Sequence, residues 1–369
     1  MKPSPDFVTA IILLNLGGPD SLRAVRPFLL NLFSDRQIIR LGPPFMQKPL
    51  AWLISSLRSK KTENMYSQIG GKSPIFDITR AQADALEEAL NRHSENYGAS
   101  GHIPSDLAGD FKVNGNTVSY NAGKRFFRVY IGMRYWHPFI EDVVAQISRD
   151  GIKKIIGLSL YPQYSVTTSG SSLTKLKEAA SRYDMKVSTI GSWHNHPLYI
   201  EALVDVIRKG LLSFQSTTPE PETSSFHLHP SLLDTVHVLF SAHSLPQKII
   251  DRGDPYADQT METIREIGRR LPIRWHLSYQ SKSGPVKWLE PSTEEKLEEL
   301  AREGVKDVLV VPISFVSDHI ETLYEIDILY KNLSEGLKIN MKRTEALNTH
   351  PKFIDALRDI VHKSLINSE

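Results

Sequence analysis

Six short apolar runs, at residues 8–16, 127–133, 155–160, 236–240, 274–279 and 308–313, constrain this chain more than any other feature. They lack the polar alternation of a sheet with one wet face, and so suit parallel strands covered on both sides. Helical spacing fills the gaps. In 139–149, Ile140, Val143, Val144 and Ile147 mark one face, and Gly151 stands where a C-terminal cap belongs. In 292–303, Ser292 and Glu295 supply a capping box, Leu297, Leu300 and Ala301 a stripe, and Gly304 the stop. Strands alternating with helices predict an α/β fold built on parallel sheet.

The pattern occurs twice. LLNLGGP, VYIGMRYWHP, a helix and DGIKKII come first; VLFSAHSLP, WHLSYQSKSGP, a helix and EGVKDVL follow. Two α/β units of common ancestry would produce this order, although helix–Gly–strand junctions also look alike in unrelated proteins. The length of 369 residues suits two domains of roughly 100–200 residues each. Residues 94–124, rich in Gly, Asn and Ser, read as an inserted loop or hairpin, and 214–225 as an exposed loop.

Composition removes several classes of function. Lys and Arg number 44 against 42 Asp and Glu, so no basic field marks a nucleic-acid binder. With no cysteine there is no disulfide, no thiolate catalysis, no cysteine zinc site and no cysteine-bound iron–sulfur cluster. The dinucleotide, P-loop and nucleophile-elbow motifs are missing. The N-terminus lacks a secretory pattern, and no run reaches the roughly 18 apolar residues of a membrane span. The expectation is a cytoplasmic protein. Residues 39–54 stand apart: Phe45, Met46, Leu50, Trp52, Leu53 and Ile54 mix with Arg40, Lys48 and three prolines, which predict an interrupted helix. Such a segment forms the lip of an apolar pocket, dips into a bilayer surface, or is a core helix preceded by a loop.

In parallel α/β folds the C-terminal strand ends face the ligand crevice. Four polar segments follow such ends. His243, in SAHS, can exchange protons or bind a metal near neutral pH, or can simply be held by backbone at a strand end. Glu321 and Glu325 lie four apart on one helical face, where they can pass a cation or take protons. Asp318 with Glu321 also fits a capping pair, which leaves Glu325 unexplained. Arg134, Tyr135 and Trp136 form a cluster able to grip a planar anion, or a cation lying over buried aromatics. Tyr161 and Tyr164 precede a hydroxyl-rich turn, 165–172, at a helix start where anions bind readily. His194 and His196 look like a metal pair but lack a third ligand.

Seven phrases in order, LLNLGGPDS, QIGGKSPI, MRYWHPF, YPQYSVTTSGSS, LFSAHSLPQKIIDRGDPY, YQSKSGPVKWLEP and SDHIETLYEID, make the chain resemble the ferrochelatases, class II chelatases that insert ferrous iron into porphyrin. The resemblance implies two similar Rossmann-like domains around a porphyrin cleft. Their expected extents are 1–148, joined by a C-terminal helix at about 344–369, and 149–343. It implies no permanent cofactor, and iron and porphyrin (protoporphyrin IX favoured) as substrates; the apolar content of 43–54 separately predicts peripheral membrane contact there. The resemblance implies His243 as proton acceptor or metal ligand, Glu321 and His319 beside it, and Glu325 on an acidic track for iron or protons. Arg134, Tyr135, Tyr161, Tyr256 and Trp288 match positions around the macrocycle, Trp193 and His196 a further pair near the cleft, and Ser73 a propionate contact. Three departures follow. Leu16 replaces the Met or Tyr that faces porphyrin elsewhere, Leu329 replaces a third acid, and Val166 stands where some members place a cluster cysteine. His243 and Glu321 are expected to project from opposite walls into one flat, apolar slot. A chelatase for coproporphyrin or cobalt, or a non-catalytic porphyrin carrier, are the competing readings.

Overall fold

The computed structural model describes residues 8–96, 111–114, 117–120, 126–215, 230–282, 284 and 286–366. Its frame is two four-stranded sheets in which every strand pair is parallel. The first holds β1 (Val8–Asn15), β4 (Phe126–Met133), β5 (Lys154–Ser159) and β6 (Lys186–Ile190) in the order β4-β1-β5-β6. The second holds β7 (Val236–His243), β8 (Trp275–Gln280), β9 (Asp307–Pro312) and β10 (Asn340–Arg343) in the order β10-β9-β7-β8. A short antiparallel hairpin, β2 (Phe111–Asn114) with β3 (Thr117–Tyr120), lies within the stretch read as an inserted loop or hairpin. The rest of that stretch from 97, and the second loop from 216, fall outside the described residues.

The internal repeat is visible in the topology. Matching β1 to β7, β4 to β8, β5 to β9 and β6 to β10 gives both sheets one strand order. The register carries the match to single residues. Thr9 pairs with Lys154 as Val236 pairs with Asp307, which makes Leu16 the counterpart of His243. Two similar Rossmann-like units are therefore present. The division expected between 148 and 149 is corrected, because β5 and β6 hydrogen-bond into the first sheet and the chain crosses between sheets only after Ile190. The DGIKKII phrase is a strand of the first unit, and the EGVKDVL phrase its counterpart in the second. The helix Pro351–Ile366 returns to pack on the helices Pro197–Leu212 and Ile75–Asn96.

The six anticipated strands form within a few residues of their expected limits, and the Ser292–Glu295 capping box is present in full. Two of the four edge strands, β6 and β10, carry no comparable apolar run, and the pattern misses them. One continuous core joins the units, running from Ile11, Leu13 and Leu158 through Leu203 and Ile207 to Val238, Phe240 and Val311. A shared core of this kind fixes the two rows of strand ends relative to one another.

Residues 39–54 form no single helix, as expected: a 3-10 turn at Pro44–Met46 precedes the α-helix that starts at Gln47. The helix Gln47–Ser67 contains Pro49 without a break. Pro49 sits in the first turn, where an amide has no intrahelical acceptor to lose. The buried Gln47 closes the preceding loop, its amide donating to Phe33 O (2.7 Å) and Ile39 O (2.9 Å).

Candidate active site

β7 ends on His243, β8 on Gln280, and β9 runs into Ser314 and Phe315. All three ends point to the same side of the second sheet, so residues 278–281 and 314–325 gather around the imidazole. His243 Nδ1 lies 2.9 Å from Glu321 Oε2. A carboxylate can only accept, so the proton is on Nδ1 and the basic nitrogen is Nε2. Burial alone would lower the His243 pKa, but the adjacent Glu321 charge overrides it and raises the value. Conversely, burial would raise Glu321, and the imidazole together with Ser281 holds it below the ordinary carboxylate range.

The expected opposition of these two groups is corrected. They stand side by side on one wall, because β7 and β9 are adjacent strands and Glu321 belongs to the helix that follows β9. The residue facing the second unit from the first is instead Leu16, the counterpart of His243. Both line a cavity of about 460 Å³ with Tyr161, Gln163, Tyr256 and Phe315. An adjoining hollow of about 320 Å³ shares Leu16, Tyr161, Ser314 and Phe315 and extends to His319. The cavity thus lies between the strand ends of both sheets and is mostly apolar with a few convergent polar groups.

Glu321 and Glu325 occupy a ten-residue π-helix, Glu321–Tyr330. This geometry is rare and concentrates at functional sites. Ser281 bridges the two acids, its Oγ lying 2.7 Å from Glu321 Oε2 and 2.6 Å from Glu325 Oε2. Its backbone φ is 66°, uncommon for a residue with a Cβ. One hydroxyl hydrogen serves one carboxylate, so the second short contact needs a proton on the other acid. Burial, aided by the Glu321 charge, pushes Glu325 up to about 8, and Glu325 therefore carries that proton. The result is a file of proton-holding groups, Glu325–Ser281–Glu321–His243, ending on imidazole Nε2. Ser281 escaped the sequence reading, although it directly follows a strand end.

The remaining expected residues divide into two sets. Tyr256 supports His243, its hydroxyl donating to His243 O at 2.8 Å and meeting Ser314 Oγ at 2.6 Å. Tyr161 and Leu16 line the cavity. His319 is buried, donates from Nδ1 to Ser317 O (3.1 Å) and packs edge-on against Phe315. Burial lowers its pKa, so it stays neutral. Trp288 pairs by a backbone bridge with Pro246 beside the SAHS turn, and its indole nitrogen is buried without a partner.

Neither Trp288 nor the remaining expected residues line the cavity. Arg134 is engaged elsewhere, its guanidinium 2.6 Å from Asp35 Oδ2 and 2.9 Å from Ser171 Oγ, with the Tyr135 hydroxyl donating to the same carboxylate at 2.7 Å. Tyr135 is 2% exposed. Trp193 is core, its indole donating to Ser159 O while the ring packs on Tyr199 and Phe353. His196 meets Asp359 at 2.7 Å and His194 meets Glu262 at 2.8 Å, so the apparent metal pair splits between two carboxylates. Ser73 packs under the Leu16-Gly17-Gly18 turn, where a Cβ on Gly18 would meet its Oγ at 2.5 Å. The hydroxyl-rich turn at 165–172 already holds an anion of its own. Asp254 accepts from Ser165 Oγ (3.0 Å) and Val166 N (2.8 Å).

A sequence model of the ferrochelatase family matches residues 8–102 and 116–365, nearly the whole chain. The chain belongs to the ferrochelatase family. The ferrochelatase of Geotalea uraniireducens is 47% identical over 363 residues, covering 97% of this chain and 98% of the relative. That of Gloeothece citriformis is also 47% identical over 363 residues, covering 96% of this chain and 82% of the relative. That of Synechocystis is 46% identical over the same length, with coverage of 96% and 82%. The family match breaks at 103–115, inside the Gly- and Asn-rich stretch, whereas residues 214–225 lie within the matched span. In this ferrochelatase-family chain His243, the counterpart of Leu16, and its neighbour Glu321 sit where the two units' strand ends meet.

Proposed function

We propose that this chain inserts ferrous iron into a porphyrin to form haem, with His243 as the proton acceptor and Glu321 as its charge partner. The observation that carries the assignment is the His243–Glu321 pair on the wall of an apolar cavity in a ferrochelatase-family chain. A free porphyrin holds two N–H protons at the centre of a planar ring. Iron enters only when the ring bends and those protons leave. His243 Nε2 takes a pyrrole proton, and the imidazolium so formed is stabilised by Glu321 in contact with Nδ1. Ser281 and Glu325 form the remainder of a proton route away from the ring. Glu321 and His243, with Glu325 once it has given up its proton, offer oxygen and nitrogen ligands to an arriving Fe²⁺. Leu16, opposite His243, supplies no ligand atom, so protein ligands to the iron come from the second unit. Leu16, Leu245 and Phe315 give the cavity an apolar lining for the macrocycle.

Protoporphyrin IX is the favoured substrate. An anaerobic insertion assay followed by absorbance, with Fe²⁺, Co²⁺ and Zn²⁺ offered against protoporphyrin and coproporphyrin, tests both choices. Haem formation fastest with Fe²⁺ and protoporphyrin is expected. Binding of porphyrin without insertion of any metal would reject the enzyme in favour of a carrier.

The chain is also proposed to touch membranes from the cytoplasm. Phe45, Trp52, Leu53 and Leu57 are 77%, 55%, 47% and 73% exposed on one side of the helix Gln47–Ser67 and its entry. Arg26 lies over the Trp52 ring at 5.2 Å, and Lys48 is exposed nearby. Apolar tips flanked by cations suit the edge of an anionic bilayer. No helix among the described residues is long and apolar enough to cross one. Co-sedimentation with anionic liposomes is expected to fall several-fold in Phe45→Ser with Trp52→Ser. Equal sedimentation of variant and parent would argue against this contact.

A further inference from the structure

The acids of the site are held from behind. Arg343, the last residue of β10, sits outside the cavity with a side chain only 12% exposed. Its Nε and Nη2 donate to the two carboxylate oxygens of Asp327 at 2.7 and 2.8 Å, and its Nη1 donates to Asp318 Oδ1 at 3.0 Å. Asp318 in turn accepts from Thr322 Oγ1 (3.0 Å) and from Asn348 Nδ2 (3.1 Å). One guanidinium therefore ties together a residue three before Glu321 and a residue two after Glu325. A second cation from the same region repeats the attachment, Lys331 Nζ donating to Met341 O of β10 at 2.8 Å.

The need for such a tie follows from the helix. A π-helix is seldom sustained beyond a single turn, whereas this one runs for ten residues, with Thr322, Ile326 and Tyr330 buried on its inner face. Glu321 must meet His243 of β7, and Glu325 must meet Ser281 after β8. The sheet fixes both partners. The carboxylates keep register with them only if the helix neither slides nor rewinds. A planar fork that grips one carboxylate with two parallel bonds and a second with a third bond fixes direction as well as distance.

We propose that Arg343 is a positioning residue for metal insertion, clamping the Glu321–Tyr330 helix so that its two acids stay in line with His243 and Ser281. It rests on the iron-insertion reading above. A reacting group displaced by about an ångström costs on the order of a hundredfold in rate. Arg343→Met is accordingly expected to lower kcat for iron insertion by roughly 10–100-fold. The porphyrin dissociation constant, read by fluorescence quenching, should stay within about threefold of wild type, because none of the cavity-lining groups touches Arg343. Arg343→Lys keeps the charge but not the fork, and should fall between the two. Asp327→Asn, at a more exposed position, provides the same test if Arg343→Met fails to fold, and should lower kcat several-fold with unchanged porphyrin affinity. A kcat within twofold of wild type in a folded variant overturns the proposal. So does a loss of kcat matched by an equal loss of porphyrin affinity. Wild-type protein that inserts no iron would instead reject the iron-insertion reading itself.

Discussion

His243→Ala is expected to bind porphyrin and yet insert iron at least ~10²-fold more slowly than the parent, since a positioned acid or base contributes typically 10²–10⁴. Among the described residues the imidazole combines a basic nitrogen that no protein group occupies, an adjacent carboxylate that raises its affinity for a proton, and contact with the cavity. Tyr161 and Tyr256 also line the cavity, but burial raises both hydroxyls far above neutrality, so neither replaces it as a base. His319 lies nearby and is neutral, but it lines the adjoining hollow rather than the main cavity. Removing the ring also leaves Glu321 without its Nδ1–H donor and without the cation that forms when Nε2 takes up a proton. A lone buried carboxylate takes up a proton more readily, so the Ala variant loses both the base and the charge that supports it. Stopped-flow absorbance of haem formation, alongside equilibrium porphyrin binding, separates these effects from failure to bind. Insertion at the parental rate would remove His243 from the mechanism.

Such an experiment is possible because much of the site can be read before the fold is seen. The apolar runs mark six of the eight parallel strands. Strand-end logic then picks out His243, Glu321 and Glu325, whose phrases follow those runs. What the sequence withholds is direction. Trp193 and Tyr135 carry aromatic character that suits a flat ligand equally well, but only the packed structure shows one bonded to Ser159 and the other to Asp35. Ser281 hides for the opposite reason. A serine after a strand is unremarkable until its hydroxyl is seen between two carboxylates. Arg343 lies on an edge strand with no apolar run, distant in sequence from Asp318 and Asp327, and nothing local predicts their meeting. The sidedness of His243 and Glu321 needs the strand order, which places β7 next to β9.

The two glutamates should behave differently when each is replaced by glutamine. Glu321→Gln removes a charge that the wild-type site keeps, and is expected to lower kcat on the order of 10²–10³-fold, as removal of an electrostatic stabiliser does. Glu325→Gln replaces a carboxyl that is already protonated at neutral pH by a neutral group of similar shape, so its effect on kcat near neutrality should be about tenfold or less. Stability supplies an independent sign. Glu321 is held below its ordinary 4.5, so its contribution is present above that value and lost as pH falls through the lower folded value. His243 is raised above 6.5, so its contribution is present below 6.5 and lost as pH climbs through the folded value. The pair therefore stabilises most between those limits, and Glu321→Gln should lower Tm most near ~pH 5–6.5. Glu325 runs the other way. Its folded value of about 8 lies above 4.5, so keeping it buried costs stability that grows from 4.5 up to 8. Glu325→Gln should consequently gain Tm relative to the parent as pH rises from ~5 to ~9. A Tm difference that stays flat across that range, or equal kinetic losses in the two variants, would mean that the proton shared through Ser281 has been assigned to the wrong acid.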